Sequence, residues 1–192
     1  MPLLRPEISI ARGALSQYAV GPWAWVQNLG FVALGVGSLA IACALALAGP
    51  ASRWLLPTTA ALAIGGAATI GLALFPMDAP SAMTVLGDLH QTGGTISVAF
   101  HMAAMLGLLL ASGSDPEWRS LRPVGAVCWV VALAGALATQ AELSFPDLPI
   151  PFGVVMRMVV APVLLWWALV ALRLLRLASR QERGDRASAV RS

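Results

Sequence analysis

The chain has 192 residues, of which 58% are hydrophobic and only 11% are charged, a composition that excludes an ordinary soluble domain. All 12 basic residues are arginine, which excludes Schiff-base chemistry on a lysine, as in rhodopsins or pyridoxal-phosphate enzymes. Half of the arginines lie between Arg173 and Arg191, just beyond the last apolar stretch. Their charge orients the chain in the membrane and attracts the anionic leaflet, which explains the net charge of +3. No nucleic-acid partner is therefore expected.

Residues 1–22 precede the first long apolar stretch. They contain neither the continuous apolar core nor the small-residue cleavage site of a signal peptide. We therefore expect an extracytoplasmic or interfacial N-terminal segment. Trp23 and Trp25 follow it as interfacial anchors of the first helix.

Five apolar stretches are long enough to cross the hydrocarbon core of a membrane, which takes roughly 20 residues of helix. They cover residues 29–48, 55–75, 94–111, 124–141 and 154–172. Each is rich in glycine and alanine, which lets helix backbones approach closely. The sequence predicts an all-α fold, a polytopic bundle of five transmembrane helices at residues 23–175. A basic tail at 176–192 has too few apolar residues to pack, and we expect it to be disordered.

Arginines are distributed unevenly between the two sides of this bundle. One side holds the basic loops and the tail, with Arg53, Arg119 and Arg122. The other side holds Arg5 and Arg12 before the first span, but the charged residues of its interhelical loops are all acids, which are Asp78, Asp88, Glu142 and Asp147. By the positive-inside rule, the amino terminus is predicted outside and the carboxyl terminus in the cytoplasm. The predicted location is the inner (cytoplasmic) membrane.

Small and polar residues form a stripe on the third helix. His90, Gly94, Ser97 and His101 are spaced by 4, 3 and 4 residues, so they share one helix face, which should point into the bundle. The two histidines are about 16 Å apart along a regular helix, too far to share one metal ion. Two histidines without a CxxCH motif also argue against haem. We expect no metal and no cofactor.

Asp78 and Asp88 lie in the segment between the second and third spans. Asp78 follows a proline at a helix exit, where a carboxylate commonly caps the next turn, and Asp88 can cap the third helix. A zinc site that joins either acid to His90 is the alternative, because catalytic zinc takes histidine and carboxylate ligands.

Arg157 lies a few residues inside the fifth span. A charge there costs a few kcal/mol on insertion scales unless it reaches the headgroups or finds a partner. The acids of the outer side and the phosphates of the outer leaflet are the available partners. We expect Asp78, His90 and Arg157 to meet in the outer half of the bundle.

Three segments resemble the domain-of-unknown-function 998 family of prokaryotic multi-spanning membrane proteins. They are LSQYAVGPWAWVQNLGFVALGVGSL, LFPMD with a histidine downstream, and GVVMRMVVAPVLLWW. The resemblance covers about residues 8–170 and implies that Ser16, Asp78, His90 and Arg157 are shared positions. Family members have a further helix before the serine segment, so this chain looks shorter by one span. The resemblance implies a fold and no activity.

The expected function is non-enzymatic. The chain is predicted to be a binding protein or accessory subunit with an outward-facing polar pocket for a lipid or amphipathic ligand. Its partners would be membrane lipids or a larger membrane protein complex. The polar residues expected to form the pocket are Ser16, Asp78, Asp88, His90, His101 and Arg157.

Two other functions use the same residues. The first alternative is a membrane-embedded lipid hydrolase or transferase that uses Asp78, His90 and Arg157. The second is a proton-coupled transporter with His101 and Arg157, although the duplicated halves common among transporters are missing. The strong catalytic sequence motifs are also missing.

Overall fold

The structure, a computed structural model, describes residues 3–78, 84–113, 115–145 and 150–189. These ranges contain helices and no strand. A 3-10 helix at Leu15–Ala19 is followed by α1 at Ala24–Ala48, α2 at Leu55–Leu74, α3 at Val85–Ala111, the short α4 at Pro116–Arg119, α5 at Arg122–Ser144 and α6 at Phe152–Ala189. Five of them are long and apolar enough to cross a membrane, as predicted.

Helices α1, α2 and α3 form one closely packed unit because glycines let their backbones meet. A Cβ atom on Gly66 would lie 2.9 Å from the Gly35 carbonyl oxygen of α1. On the α3 side of α2, a Cβ atom on Gly65 would lie 2.8 Å from His101 Nδ1. The contacts of Thr58 with Gly107 and of Thr69 with Ser97 show that α2 and α3 run antiparallel.

Helices α5 and α6 form an antiparallel hairpin beside this unit. A Cβ atom on Gly135 of α5 would lie 2.9 Å from the Val155 carbonyl oxygen, and Gly125 lies against the ring of Trp166. Trp166, Val170 and the buried residues of α3 form the apolar core between the hairpin and the three-helix unit. Both units leave valine and leucine side chains on the outer surface, where lipid is expected.

Helix α3 begins nine residues earlier than the predicted span, which started at Gly94. Thr84 is the N-cap, since its hydroxyl oxygen accepts a 3.1 Å hydrogen bond from the Gly87 amide. Asp88, expected before the third helix, is therefore in its first turn, and His90, predicted on that helix, is in its second turn. The apolar pattern alone misses these first turns because Asp88, His90 and Gln91 interrupt it.

The expected disorder of the tail is wrong for residues 176–189. Helix α6 is continuous for 38 residues, about 57 Å at the rise of an α-helix, and so extends well beyond a core of about 30 Å. An apolar span already forms most of this helix, so the tail adds turns to an existing helix and needs no new nucleus. The prediction from composition treated the tail as an isolated segment, so it missed that α6 continues into the tail.

Candidate functional site

The N-terminal segment folds over the end of the bundle that carries the acidic loops. Its residues 10–13 lie directly on the first turn of α6, where a Cβ atom on Gly153 would come within 2.8 Å of the Gly13 carbonyl oxygen. The Val154 amide donates a 2.8 Å hydrogen bond to the Pro151 carbonyl just before the helix and a 3.3 Å one to the Ala11 carbonyl. The segment therefore caps α6 with main-chain oxygens.

Arg157 holds the same segment from one turn deeper. Its Nη1 donates hydrogen bonds of 2.7 Å to the Ile10 carbonyl, 3.5 Å to the Gly13 carbonyl and 2.7 Å to the Gly153 carbonyl. Within the described ranges, the partners of this guanidinium are main-chain oxygens and no carboxylate. Asp147, one of the acids considered as a partner, lies outside those ranges.

The segment continues into a tight turn that leads to α1. Tyr18 of the 3-10 helix is 1% exposed, and its hydroxyl donates a 3.4 Å hydrogen bond to the Ile8 carbonyl. Arg5 donates to the Val20 carbonyl and to the Glu7 carboxylate, which lowers the pKa of Glu7. Gly21 follows with φ of 85°, a left-handed conformation that glycine adopts without strain.

Asp78 caps the first turn of α3. Its Oδ2 accepts a 2.8 Å hydrogen bond from the Thr84 amide, and its Oδ1 accepts a 2.6 Å hydrogen bond from the Thr84 hydroxyl. Both bonds favour the ionised carboxyl, so they lower the pKa of Asp78. Gly87 lies against this carboxylate, in a space that a Cβ atom would fill. Asp88 is exposed one residue further along the helix.

His90 joins the end of α2 to α3. It is 3% exposed, and its Nδ1 lies 2.7 Å from the Phe75 carbonyl oxygen. A carbonyl can only accept, so Nδ1 carries the hydrogen. The ring also meets Phe31 of α1 edge-on, with centroids 6.3 Å apart.

His101 lies three turns further along α3, between all three helices of the first unit. It is 3% exposed. Its Nδ1 donates a 2.8 Å hydrogen bond to the Ser97 carbonyl, and its Nε2 lies 3.0 Å from the Ser38 hydroxyl of α1. Beside it, the Ser97 and Thr69 hydroxyls are 2.7 Å apart, and Thr69 donates to the Gly65 carbonyl. These bonds satisfy the buried polar groups across helices.

The meeting of Asp78, His90 and Arg157 in the outer half of the bundle stays a prediction. In the part of the chain that the structure describes, no hydrogen bond or ion pair joins any two of them, because each binds a different main-chain or hydroxyl group. Ser16 is half-buried in the 3-10 helix. The same ranges hold no group of three histidine, cysteine or acidic residues placed to bind a metal ion.

A cleft of about 430 Å³ lies between the N-terminal segment and the end of α2. Five of its polar side chains come from the N-terminal segment and its 3-10 helix: Arg5, Glu7, Ser9, Arg12 and Gln17. Ile8, Val20 and Met77 provide apolar surface, and Asp78 contributes to the wall. Arg12 is exposed, and its guanidinium makes no ion pair within the described residues.

The model of the family described as Protein of unknown function (DUF998) matches residues 1–173. The chain belongs to this family. The match to the DUF998 model includes the N-terminal segment and the five predicted spans, and leaves out residues 174–192. No curated protein and no solved structure matches this DUF998 chain.

Sequence reasoning on this DUF998 protein missed two sets of residues. The first is the lining of the cleft by Arg5 and Arg12, which were counted only for orientation. The second is Ser38, the partner of His101. Ser38 is the lone hydroxyl side chain in the span predicted at residues 29–48, and that isolation was the available signal.

Proposed function

We propose that this protein binds an amphipathic molecule, such as a lipid, with its headgroup in the cleft beside the N-terminal segment. The exposed Arg12 guanidinium carries this proposal, because it lies in the cleft and forms no ion pair in the described ranges. The two carboxylates that line the cleft bind other groups, Glu7 to Arg5 and Asp78 to Thr84. A guanidinium binds phosphate and carboxylate groups through paired hydrogen bonds. The apolar Ile8, Val20 and Met77 would contact the first carbons of the chains.

The alternative of a lipid hydrolase or transferase has less support from the geometry. Asp78 accepts two hydrogen bonds from Thr84, and His90 donates to the Phe75 carbonyl. Arg157 donates to three carbonyl oxygens. Each side chain proposed for catalysis is thus used to hold a helix end or the N-terminal segment, which favours the binding role.

The test measures how tightly two ligands with short acyl chains bind to the full-length protein in phosphatidylcholine nanodiscs. Dihexanoyl phosphatidic acid carries a phosphate, and dihexanoylglycerol has the same chains without it. Arg12→Gln should weaken binding of the phosphatidic acid about ten-fold, since a charge-assisted hydrogen bond contributes about 1.5 to 3 kcal/mol. It should leave dihexanoylglycerol binding unchanged.

Arg119→Gln is the matched control, because Arg119 is also an exposed arginine but lies at the opposite end of the bundle. It should bind phosphatidic acid as the unchanged protein does. Equal weakening by both substitutions would show a general charge effect and contradict the proposal. The same conclusion would follow if phosphatidic acid bound no better than dihexanoylglycerol.

A further inference from the structure

Four arginines form a stripe along α6 where this helix leaves the apolar span. Arg173, Arg176, Arg180 and Arg183 are spaced by 3, 4 and 3 residues. At about 100° per residue they fall within an arc of roughly 80° on one helix face. Glu182 and Asp185 of the same helix fall about 120° to 180° away from Arg173, on the opposite side. The acids of α6 therefore do not neutralise the stripe.

One carboxylate already binds half of this stripe. Glu117, on the short helix α4, contacts Arg173 and lies 3.4 Å from Arg180. Trp118 fixes α4 in place, since it is 2% exposed in the core. The structure thus shows that two stripe arginines seven residues apart hold one carboxylate between them.

The other half of the stripe repeats this geometry without an acid. Arg176 and Arg183 are also seven residues apart and lie on the same face. Both are exposed. Neither forms an ion pair in the described ranges, and Arg183 only donates to Ser179 of its own helix.

Distance from the membrane decides which anion reaches this second pair. The apolar part of α6, residues 152–172, is about 31 Å long, which matches a hydrocarbon core of about 30 Å. Arg176 then stands about 6 Å beyond the core and Arg183 about 17 Å beyond it. The headgroup layer adds only about 5 to 8 Å per side. Lipid phosphates reach the base of the stripe, and Arg183 needs an anion from the aqueous phase.

We propose that Arg176 and Arg183 bind an acidic segment of a partner protein on the arginine-rich side of the membrane. The partner supplies carboxylates to this pair as Glu117 supplies one to Arg173 and Arg180. This docking surface is at the opposite end of the bundle from the ligand cleft, so it does not depend on the proposed ligand.

The test measures binding of a fluorescent oligoglutamate peptide of about ten residues to the full chain in phosphatidylcholine nanodiscs. Oligoglutamate is the probe because the partner is defined by its carboxylates. Replacing both arginines, R176Q with R183Q, should weaken binding about ten-fold. Both side chains are exposed, so the doubly substituted protein is expected to keep its fold, which circular dichroism checks.

The matched control is R119Q with R122Q, which removes two exposed arginines from the same side but outside the stripe. Its affinity should change less than about two-fold. An equal loss of peptide affinity in the two substituted proteins would show that only net charge matters, and it would overturn the proposal. The measurement is repeated with phosphatidylglycerol in the nanodisc. If the two substituted proteins then bind the peptide with equal affinity, lipid headgroups occupy Arg176 and Arg183, and the proposal is also overturned.

Discussion

Individual polar residues in this protein mostly hold main-chain groups at helix ends. Asp78 binds Thr84 before α3, His90 binds the last turn of α2, and Arg157 binds the N-terminal segment. The sequence identified these residues as polar and close to one end of the bundle. It could not identify their partners, because main-chain carbonyls are the same at every position and leave no mark in the sequence.

The carboxyl of Asp78 provides a pH-dependent test at the residue scale. Hydrogen bonds from Thr84 lower its pKa in the folded protein. Its contribution to stability is therefore complete above the ordinary aspartate pKa of about 3.9, and it is lost as the pH falls through the lower, folded-state pKa. The carbon-13 shift of the Asp78 carboxyl should show a midpoint below about 3.9.

Thr84→Ala is the corresponding control, because it removes the hydroxyl that donates to Asp78 and caps α3. The Asp78 midpoint should move up toward the ordinary value. The loss of a helix N-cap should also reduce stability by about 1 kcal/mol. A midpoint that is already at the ordinary value in the unchanged protein would show that this cap does not form.

At the scale of elements, the apolar pattern predicted all five spans and missed their polar extensions. Helix α3 starts at Val85 because of the cap formed by Asp78 and Thr84. Helix α6 runs on to Ala189 because it continues an existing span. Both helices are longer than the roughly 20 residues that cross a hydrocarbon core, and outside the apolar run hydropathy no longer distinguishes helix from loop. The start of α3 is instead set by its N-cap hydrogen bonds, and the end of α6 by continuation of an existing helix.

Two glycines of α6 provide a matched pair of substitutions. A Cβ atom on Gly153 would collide with the Ile10 and Gly13 carbonyls, whereas nothing lies within 4 Å of one on Gly184. Gly153→Ala should release the N-terminal segment, and the amides of residues 10–13, such as the Gly13 amide that donates to the Ser9 carbonyl, should exchange hydrogen faster. Hydrogen exchange measured by mass spectrometry reports this change.

Gly184→Ala should leave exchange in the N-terminal segment unchanged. It should also stabilise the end of α6 by up to about 1 kcal/mol, since alanine is the better helix former. Unchanged protection of residues 10–13 after Gly153→Ala would show that the segment does not depend on this close approach.

For the whole molecule, the arginine asymmetry predicts the orientation that the fold alone does not define. The test uses a protein in which the two free cysteines, Cys43 and Cys128, are replaced by alanine. A cysteine introduced by Ser144→Cys, at the end of α5, should react with an impermeant thiol reagent in intact cells. One introduced by Ser188→Cys should react only after the cells are permeabilised. The reverse pattern would contradict an external amino terminus.

The whole fold was more predictable than the candidate site, and the reason is physical. Spans depend on long runs of apolar residues, which a sequence displays directly. The cleft depends on where residues 5–20 fold back onto the bundle. Arg157 helps to hold them there through its bond to Ile10, which is 147 residues away along the chain. Contacts of such long sequence separation leave no local pattern.

This separation has a consequence for how the protein is made. The bonds from Arg157 to Ile10 and Gly13 join the start of the chain to its last helix. The ribosome makes α6 after the first four spans, so residues 10–13 lack their docking surface on α6 while those spans enter the membrane. Residues 10–13 therefore reach their folded position only after α6 is made, and in a chain truncated before α6 we expect proteases to cleave these residues more readily.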